Sequence, residues 1–490
     1  MKNQIHLCTY ADRLGGNLKA LSRLLDGPFG GLFGGVHILP FFTPIDGTDA
    51  GFDPIDHTEV DARVGDWDDV RALGKRYEVM ADLIVNHVSA QSVQFKDYSA
   101  KREASDFNGL FLRFFSVFPD GASEDDLLAV YRPRPGLPFT YTTLDDGSKA
   151  LLWTTFTSNQ IDIDVTHPCG RQYLNSILDT FETADIRSIR LDAVGYAIKK
   201  PGTSCFMIPE TFSFIDALTV AARQRGMEVL VEIHSYYRKQ IEIAQRVDRV
   251  YDFALPPLVL HALINKTGQY LKAWLAISPR NAVTVLDTHD GIGVIDVGAE
   301  AGVADAPGLM PAAAIDRLVE QMHANSRGQS RKATGAAASN LDLYQVNCTY
   351  YDALGRNDRD YLLARAIQFF APGVPQVYYV GLLAGENDME LLERTQVGRD
   401  INRHYYSHDE IERQMQRPVV QSLFRLMRWR NTHPAFSGDF SLPDCDDQYF
   451  IARWSNGEHW AELDIDFVSC TAAITDESGI VSDHLALFDL

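Results

Sequence analysis

Three carboxylates close three strand-like apolar runs. Asp192 ends Ile189-Arg190-Leu191-Asp192, Glu232 ends Val229-Leu230-Val231-Glu232, and Asp290 ends Val285-Leu286-Asp287-Thr288-His289-Asp290. An apolar string that stops at an acid is the pattern of a parallel strand that delivers a side chain to the C-terminal face of an α/β barrel, where such barrels keep their chemistry. Two carboxylates flanking a glycosidic bond are enough to break it, one attacking while the other handles the proton. Arg190 lies two residues before Asp192, on the same strand face, where its guanidinium can hold that carboxylate ionised and oriented. His289 directly precedes Asp290, and Asn86 and His87 end another run. Each acid alone could be a helix N-cap or an ion-pair partner. Three of them, at the fourth, fifth and seventh runs, favour a sugar-active site.

The elements that must position these residues are legible as eight runs rich in β-branched and aromatic residues: Ile5–Tyr10, Val36–Phe41, Val79–Asn86, Ile186–Asp192, Glu228–His234, Val250–Leu255, Ala282–Thr288 and Pro375–Val380. Between them lie amphipathic helix patterns at Leu18–Leu25, Trp67–Tyr77, Pro209–Gln224, Arg238–Arg246, Leu258–Leu275 and Arg359–Phe370. Strand alternating with helix eight times predicts a (β/α)8 barrel. The spacing is uneven. About a hundred residues separate Asn86 from Ile186, far more than one helix needs. That stretch holds Tyr131-Arg132-Pro133-Arg134-Pro135-Gly136-Leu137-Pro138, whose prolines favour a stiff extended loop. A second insertion follows the seventh run and contains the small-residue stretch 333–339. Both insertions follow strand C-terminal ends and should overhang the site. The expected organisation is a catalytic barrel at 1–86, 167–290 and 357–436, an inserted domain at 87–166 after strand three, a second at 291–356 after strand seven, and a C-terminal antiparallel β-domain at 437–490 with strands near Phe450–Trp454, Trp460–Phe467 and Ala472–Ile474.

Composition narrows the function classes. The chain has 490 residues, 46% hydrophobic and 11% aromatic, enough for a large core, and carries a formal net charge of −21. That charge argues against nucleic acid and against anionic membrane surfaces. An anionic substrate must therefore meet a locally positive pocket. The six cysteines, Cys8, Cys169, Cys205, Cys348, Cys445 and Cys470, show neither C-x-x-C nor zinc spacing and read as reduced thiols. No signal peptide is visible in Met1 to Tyr10, and Pro372, Gly373 and Pro375 interrupt the apolar stretch from Ile367 to Gly385. A soluble cytoplasmic protein is expected. Gly30-Gly-Leu-Phe-Gly34-Gly precedes a strand rather than leading from one into a helix, so it fails as a phosphate-cradling loop.

Five segments carry a family resemblance. Asp82-Leu-Ile-Val-Asn86-His87, Arg190-Leu-Asp192-Ala-Val-Gly-Tyr196, Val231-Glu232-Ile-His234 and Leu286-Asp-Thr-His289-Asp290 resemble the four sequence regions of the α-amylase superfamily of retaining glycoside hydrolases, and Gln160-Ile-Asp162-Ile-Asp164 resembles its additional region in the domain after strand three. Further segments resemble the sucrose phosphorylase branch: Val36-His-Ile-Leu-Pro-Phe-Phe, Asp49-Ala-Gly-Phe52-Asp-Pro-Ile-Asp, Tyr131-Arg-Pro-Arg134-Pro-Gly, His234-Ser-Tyr-Tyr, Leu341-Asp-Leu-Tyr344-Gln345 and Gly398-Arg399-Asp-Ile-Asn. The similarity runs from residue 1 to about 435 and fades in the C-terminal β-domain.

This resemblance implies reversible transfer of glucose between fructose and inorganic phosphate, with sucrose and glucose 1-phosphate as the glucosyl donors. Asp192 would be the nucleophile, Glu232 the acid/base and Asp290 the transition-state stabiliser. The glucosyl subsite would use Asp49, Phe52, His87, Phe156, Arg190, Tyr196, His289 and Arg399. The acceptor site would use Arg134 and Tyr344 for phosphate, with Asp342, Gln345 and His234 for fructose; an arginine fork suits phosphate oxygens. The loop around 335–345 is expected to shift so that Asp342 serves fructose and Tyr344 serves phosphate. No metal or organic cofactor is expected, although the family pattern departs at Gly373-Val-Pro-Gln-Val-Tyr-Tyr-Val-Gly381, where an extra Val380 precedes the glycine. A homodimer is expected from the branch. The alternatives are a phosphorylase of sucrose 6′-phosphate, glucosylglycerol or glucosylglycerate, a plain α-glucoside hydrolase, and a non-catalytic barrel; retention of all three acids weighs against the last.

Overall fold

Eight parallel strands close into a barrel in this computed structural model, which describes residues 1–133, 136–300, 303, 305–335 and 345–488. The strands are β1 (His6–Thr9), β2 (Gly35–Ile38), β3 (Glu78–Ile84), β4 (Ser188–Asp192), β5 (Glu228–Val231), β6 (Arg249–Asp252), β7 (Ala282–Thr284) and β8 (Val374–Tyr378). Each of the eight apolar runs supplies one strand. Pairing follows chain order around the barrel and closes between β8 and β1, with Leu7 opposite Val377. β4 and β5 are buried nearly throughout, because helices cover the outside and side chains fill the inside.

The helices follow the apolar periodicity with two departures. Pro209–Gln224 is helical over the whole predicted span, and its proline at the first turn needs no intrahelical N–H partner. The pattern at Leu258–Leu275 is two helices, Leu255–Asn265 and Gln269–Ile277, rather than one. Lys266 ends the first in a left-handed conformation, and Gly268 opens the second. Helices at Pro168–Thr183, Ala312–Asn325 and Pro418–Thr432 were not anticipated.

Between β3 and β4 the chain builds a unit with its own apolar centre, in which Leu112, Phe114, Val117, Phe118, Val130 and Trp153 pack together with Cys205 from the segment after β4. Its hairpin pairs Phe139–Thr143 with Lys149–Trp153. A short antiparallel pair, His87–Ser89 with Gln160–Asp162, stitches it to the end of β3. Between β7 and β8 a second excursion leaves and returns through an antiparallel ribbon in which Gly293 faces Gln345 and Ile292 faces Val346. The C-terminal residues form a five-stranded antiparallel sheet, β9 (Asp439–Ser441), β10 (Tyr449–Asn456), β11 (His459–Asp466), β12 (Thr471–Asp476) and β13 (Gly479–Ile480). Trp454 of β10 donates its indole N–H to Phe370 O at 2.8 Å, docking the sheet on the helix Asp358–Phe370 before β8. The six cysteines are free thiols, and no helix among the described residues is long and apolar enough to cross a membrane.

Candidate active site

β4 ends in Asp192, and Arg190 on the same face reaches along the strand to it: Nη1 donates to Asp192 Oδ1 at 2.8 Å and to Asp82 Oδ1 of β3 at 2.6 Å. Its other amino group, Nη2, lies 3.9 Å from Glu232 Oε1, just past the end of β5. One buried guanidinium therefore organises three acids from three strands. Asp82 is fixed from its other side by His37 Nε2 at 3.0 Å. Burial pushes the Asp82 carboxyl up, but His37 and Arg190 outweigh it and bring it down to about 2. Ala193, immediately after Asp192, is left-handed (φ 52°) and aims its N–H at Glu232 Oε2, 3.4 Å away. A non-glycine residue in that conformation stores backbone strain of the kind that accumulates at active sites.

The expectation that Arg190 keeps Asp192 anionic by itself needs correction. Burial pushes the Asp192 carboxyl well above the usual carboxylate range; Arg190 pulls it down without overcoming that, and Glu232 adds to the rise. Asp192 thus sits in a site where a second negative charge beside it is costly.

Asp290 sits at the opposite wall among cations. Arg399 Nη1 is 2.8 Å from Asp290 Oδ1 and 2.6 Å from Asp49 Oδ2, while Arg403 Nη2 is 3.0 Å from Asp49 Oδ1 and 3.9 Å from Asp290 Oδ1. Burial raises the Asp290 carboxyl, but Arg399, His289 and Arg403 together hold it far below the usual range. His289 stacks on Phe52 with ring centroids 4.9 Å apart, and burial pushes its imidazole down to about 3. His87 Nε2 donates to Phe52 O at 2.8 Å, and Phe156 bridges His87 and Tyr196 by edge-on ring contacts at 5.4 and 5.2 Å. Asp49 itself is left-handed (φ 55°) in the loop after β2. The structure thus gathers Asp49, Phe52, His87, Phe156, Arg190, Tyr196, His289 and Arg399 around the three acids.

Beside Glu232, His234 Nε2 lies 3.9 Å from Glu232 Oε1 and 3.2 Å from Gln345 Nε2. Gln345 also reaches Arg399, whose Nη2 is 3.5 Å from Gln345 Oε1. Arg134, Asp342 and Tyr344 lie outside the described residues. Glu232, His234 and Asp290 bring one potential ligand atom each within 4.8 Å of one another. Arg399 Nη1 brings a guanidinium into contact with Asp290 beside this cluster.

The alpha-amylase catalytic-domain family matches residues 32–247. A sucrose phosphorylase of Agrobacterium vitis is 62% identical over 476 residues, covering 97% of each chain, and one of Bifidobacterium adolescentis is 56% identical over 464 residues, covering 94% of this chain and 92% of its own. The crystal structure of a sucrose 6F-phosphate phosphorylase from Thermoanaerobacter thermosaccharolyticum superposes with a TM-score of 0.90 at 39% identity, over 98% of this chain and 97% of that one. The chain belongs to the sucrose phosphorylase family.

Five polar residues of this family member complete the site and escaped the sequence reading. Asp82 was quoted only as part of a motif; its burial opposite Arg190 requires knowing that β3 and β4 pair, with Arg190 opposite Asp82. Arg403 lies four residues after Arg399 and is fully buried, but an Arg at that spacing is indistinguishable in sequence from a solvated one. Gln160 approaches His87 Nε2 at 3.1 Å. Lys199, in a Lys-Lys pair that reads as surface, is instead buried, 2.9 Å from Asp162 Oδ2 and 3.0 Å from Asn86 Oδ1, and also donates to Tyr196 O. It fastens the insertion after β3 to two strand ends. Asp296, fully buried beyond the ribbon after β7, holds His234.

Proposed function

We propose that this protein is a phosphorylase that splits sucrose reversibly into α-D-glucose 1-phosphate and fructose by two inversions through a β-glucosyl enzyme. Asp192 Oδ attacks the anomeric carbon while Glu232 passes its proton to the departing fructose oxygen; the C1–O(fructose) bond breaks as the C1–Oδ bond forms. Arg190, bonded to Asp192, favours negative charge on the attacking carboxylate. Phosphate then attacks C1 from the face that fructose left, the C1–Oδ bond breaks, and the phosphate proton returns to Glu232. Two inversions give net retention. Asp290, kept anionic by Arg399 and Arg403, faces the developing positive charge at C1 and the ring oxygen. Asp49, His87, His289 and Arg399 would hold glucosyl hydroxyls, with Phe52, Phe156 and Tyr196 as apolar walls.

The observation that carries this reading is the complete set of three acids with their arginine wiring in a chain that matches a sucrose phosphorylase over 97% of its length. Arg134 and Tyr344 are proposed for phosphate, and Asp342, Gln345 and His234 for fructose. An Asp342 carboxylate at the acceptor side would repel a second phosphate, which favours sucrose over its 6′-phosphate. The experiment is a comparison of phosphate-dependent turnover on sucrose, sucrose 6′-phosphate, glucosylglycerol and glucosylglycerate. Sucrose is expected to be preferred by at least tenfold. Equal turnover with and without phosphate would instead indicate a hydrolase. We also propose a homodimer, testable by light scattering on the eluting protein.

A further inference from the structure

His234 is held more firmly than a substrate-contacting side chain needs for packing alone. Its Nδ1 lies 3.0 Å from Asp296 Oδ2, and the other Asp296 oxygen accepts from Ser235 N at 3.1 Å and from Gln240 Nε2 at 2.9 Å. Asp296 is 0% exposed. Phe253, following β6, stacks on the imidazole with centroids 3.9 Å apart and planes 17° from parallel. Gly293 leaves the space for this pair: a Cβ there would fall 2.5 Å from Asp296 Oδ2 and 3.2 Å from His234 Nδ1. With Nδ1 tied to a carboxylate, the ring can turn only Nε2 toward Glu232 and Gln345. The ribbon that carries Asp296 also pairs Gly293 with Gln345, so the pair and the start of the returning chain are one unit.

We propose that Asp296 is a positioning residue for the acceptor: through His234 it fixes a cationic N–H beside Glu232 that receives phosphate and favours it over water in resolving the glucosyl enzyme. This rests on the phosphorolytic reading above. Phosphate must approach Glu232 and Asp290, and among the described residues Arg190 is engaged with Asp82 and Asp192, and Arg399 and Arg403 with Asp49 and Asp290, so a cationic His234 would add to the charge that Arg134 is proposed to supply. Among the described residues, the charged groups facing His234 include Asp296 after the ribbon strand, Glu232 after β5 and Asp290 after β7; Phe253 and Gln345 add none. Burial disfavours the imidazolium, but these three acids, Asp296 foremost, outweigh it and raise the histidine above its ordinary value.

The test uses α-D-glucosyl fluoride as donor, so that neither fructose nor proton donation to it is needed to form the glucosyl enzyme. The ratio of glucose 1-phosphate to glucose is then read at fixed phosphate between pH 6 and 8. Asp296→Asn is expected to lower that ratio about tenfold through a higher KM for phosphate. The alkaline fall of the ratio should move to lower pH than in the unsubstituted enzyme; phosphate's own titration is common to both and cancels. His234→Gln should match the loss, and the double variant should add little to it. A folded Asp296→Asn enzyme with an unchanged ratio, or with glucose and glucose 1-phosphate falling together, would overturn the proposal. If that variant does not fold, an unchanged ratio in His234→Gln overturns it. An unsubstituted enzyme that makes no glucose 1-phosphate would overturn the phosphorolytic reading instead.

Discussion

The two halves of the site are built from different materials. The glucosyl half hangs largely on strand ends: Arg190 and Asp192 are on β4, Asp82 on β3, Glu232 directly follows β5, and Asp290 lies on the segment six residues past β7. Its charges are cross-linked by buried and half-buried ion pairs between 2.6 and 3.0 Å, from Asp82–Arg190–Asp192 to Asp290–Arg399–Asp49–Arg403. The acceptor half hangs on loops and a two-residue ribbon, and among the described residues its cationic group is a histidine whose charge is supported by acids, Asp296 foremost. The difference separates bond breaking from choice of partner. A rigid strand-end constellation can fix what bond is cleaved, while loop-borne groups can decide who receives the glucose.

That contrast can be broken by mutation. Asp192→Ala should remove at least about 10⁴-fold of kcat/KM in phosphorolysis and hydrolysis alike, because both pass through the same ester. A variant that loses only one of the two activities would place Asp192 on the acceptor side. Arg399→Ala should cost about 10²- to 10³-fold in kcat for every glucosyl donor, since Asp290 and Asp49 lose the cation in contact with both. An effect confined to the phosphate KM would merge the two halves. Arg190→Met should destabilise the fold by about 3–5 kcal/mol, seen as a lower denaturation midpoint, because Asp82 is left buried beside an uncompensated charge.

The pH response of stability sharpens the same comparison. Asp82, lowered to about 2, contributes stability that is present above its unfolded value near 4 and lost as pH falls through about 2. Asp252, at the end of β6, has the opposite sign. Burial pushes it up to about 7 despite hydrogen bonds from Trp274 Nε1 and Leu255 N. Its contribution is fully present below about 4 and lost as pH rises through about 7. Asp252→Asn should therefore flatten the loss of stability between those values. Denaturant midpoints measured across that range decide it, and an unchanged slope would contradict the assignment. This is the smallest effect expected, and it should leave the ratio of phosphate to water as acceptor unmoved.

Legibility in the sequence follows the same division. The barrel was readable because each strand is buried on both faces, so Val229-Leu230-Val231 before Glu232 could be little else. The pairing of Arg190 with Asp192 was readable from a spacing of two. Asp82 and Arg403 were not, because their partners come from neighbouring strands or from elements far along the chain. The helix pattern at Leu258–Leu275 concealed a break, since Lys266 carries no turn signal of its own. Asp296 was least readable of all: an acid in Gly291-Ile-Gly-Val-Ile-Asp296 looks like a loop residue until the ribbon places it under His234. Arg190 holding Asp192 anionic was too simple, because burial acts on the same carboxyl and outweighs one guanidinium.

The central claim is a glucosyl ester on Asp192 that phosphate resolves with retention. Rapid acid quench after mixing with sucrose, followed by peptide mass analysis, should find a hexose on the peptide containing Asp192. Addition of phosphate before the quench should discharge it and release glucose 1-phosphate as the α anomer. A β product, or turnover to glucose 1-phosphate with no adduct on that peptide, would contradict the account.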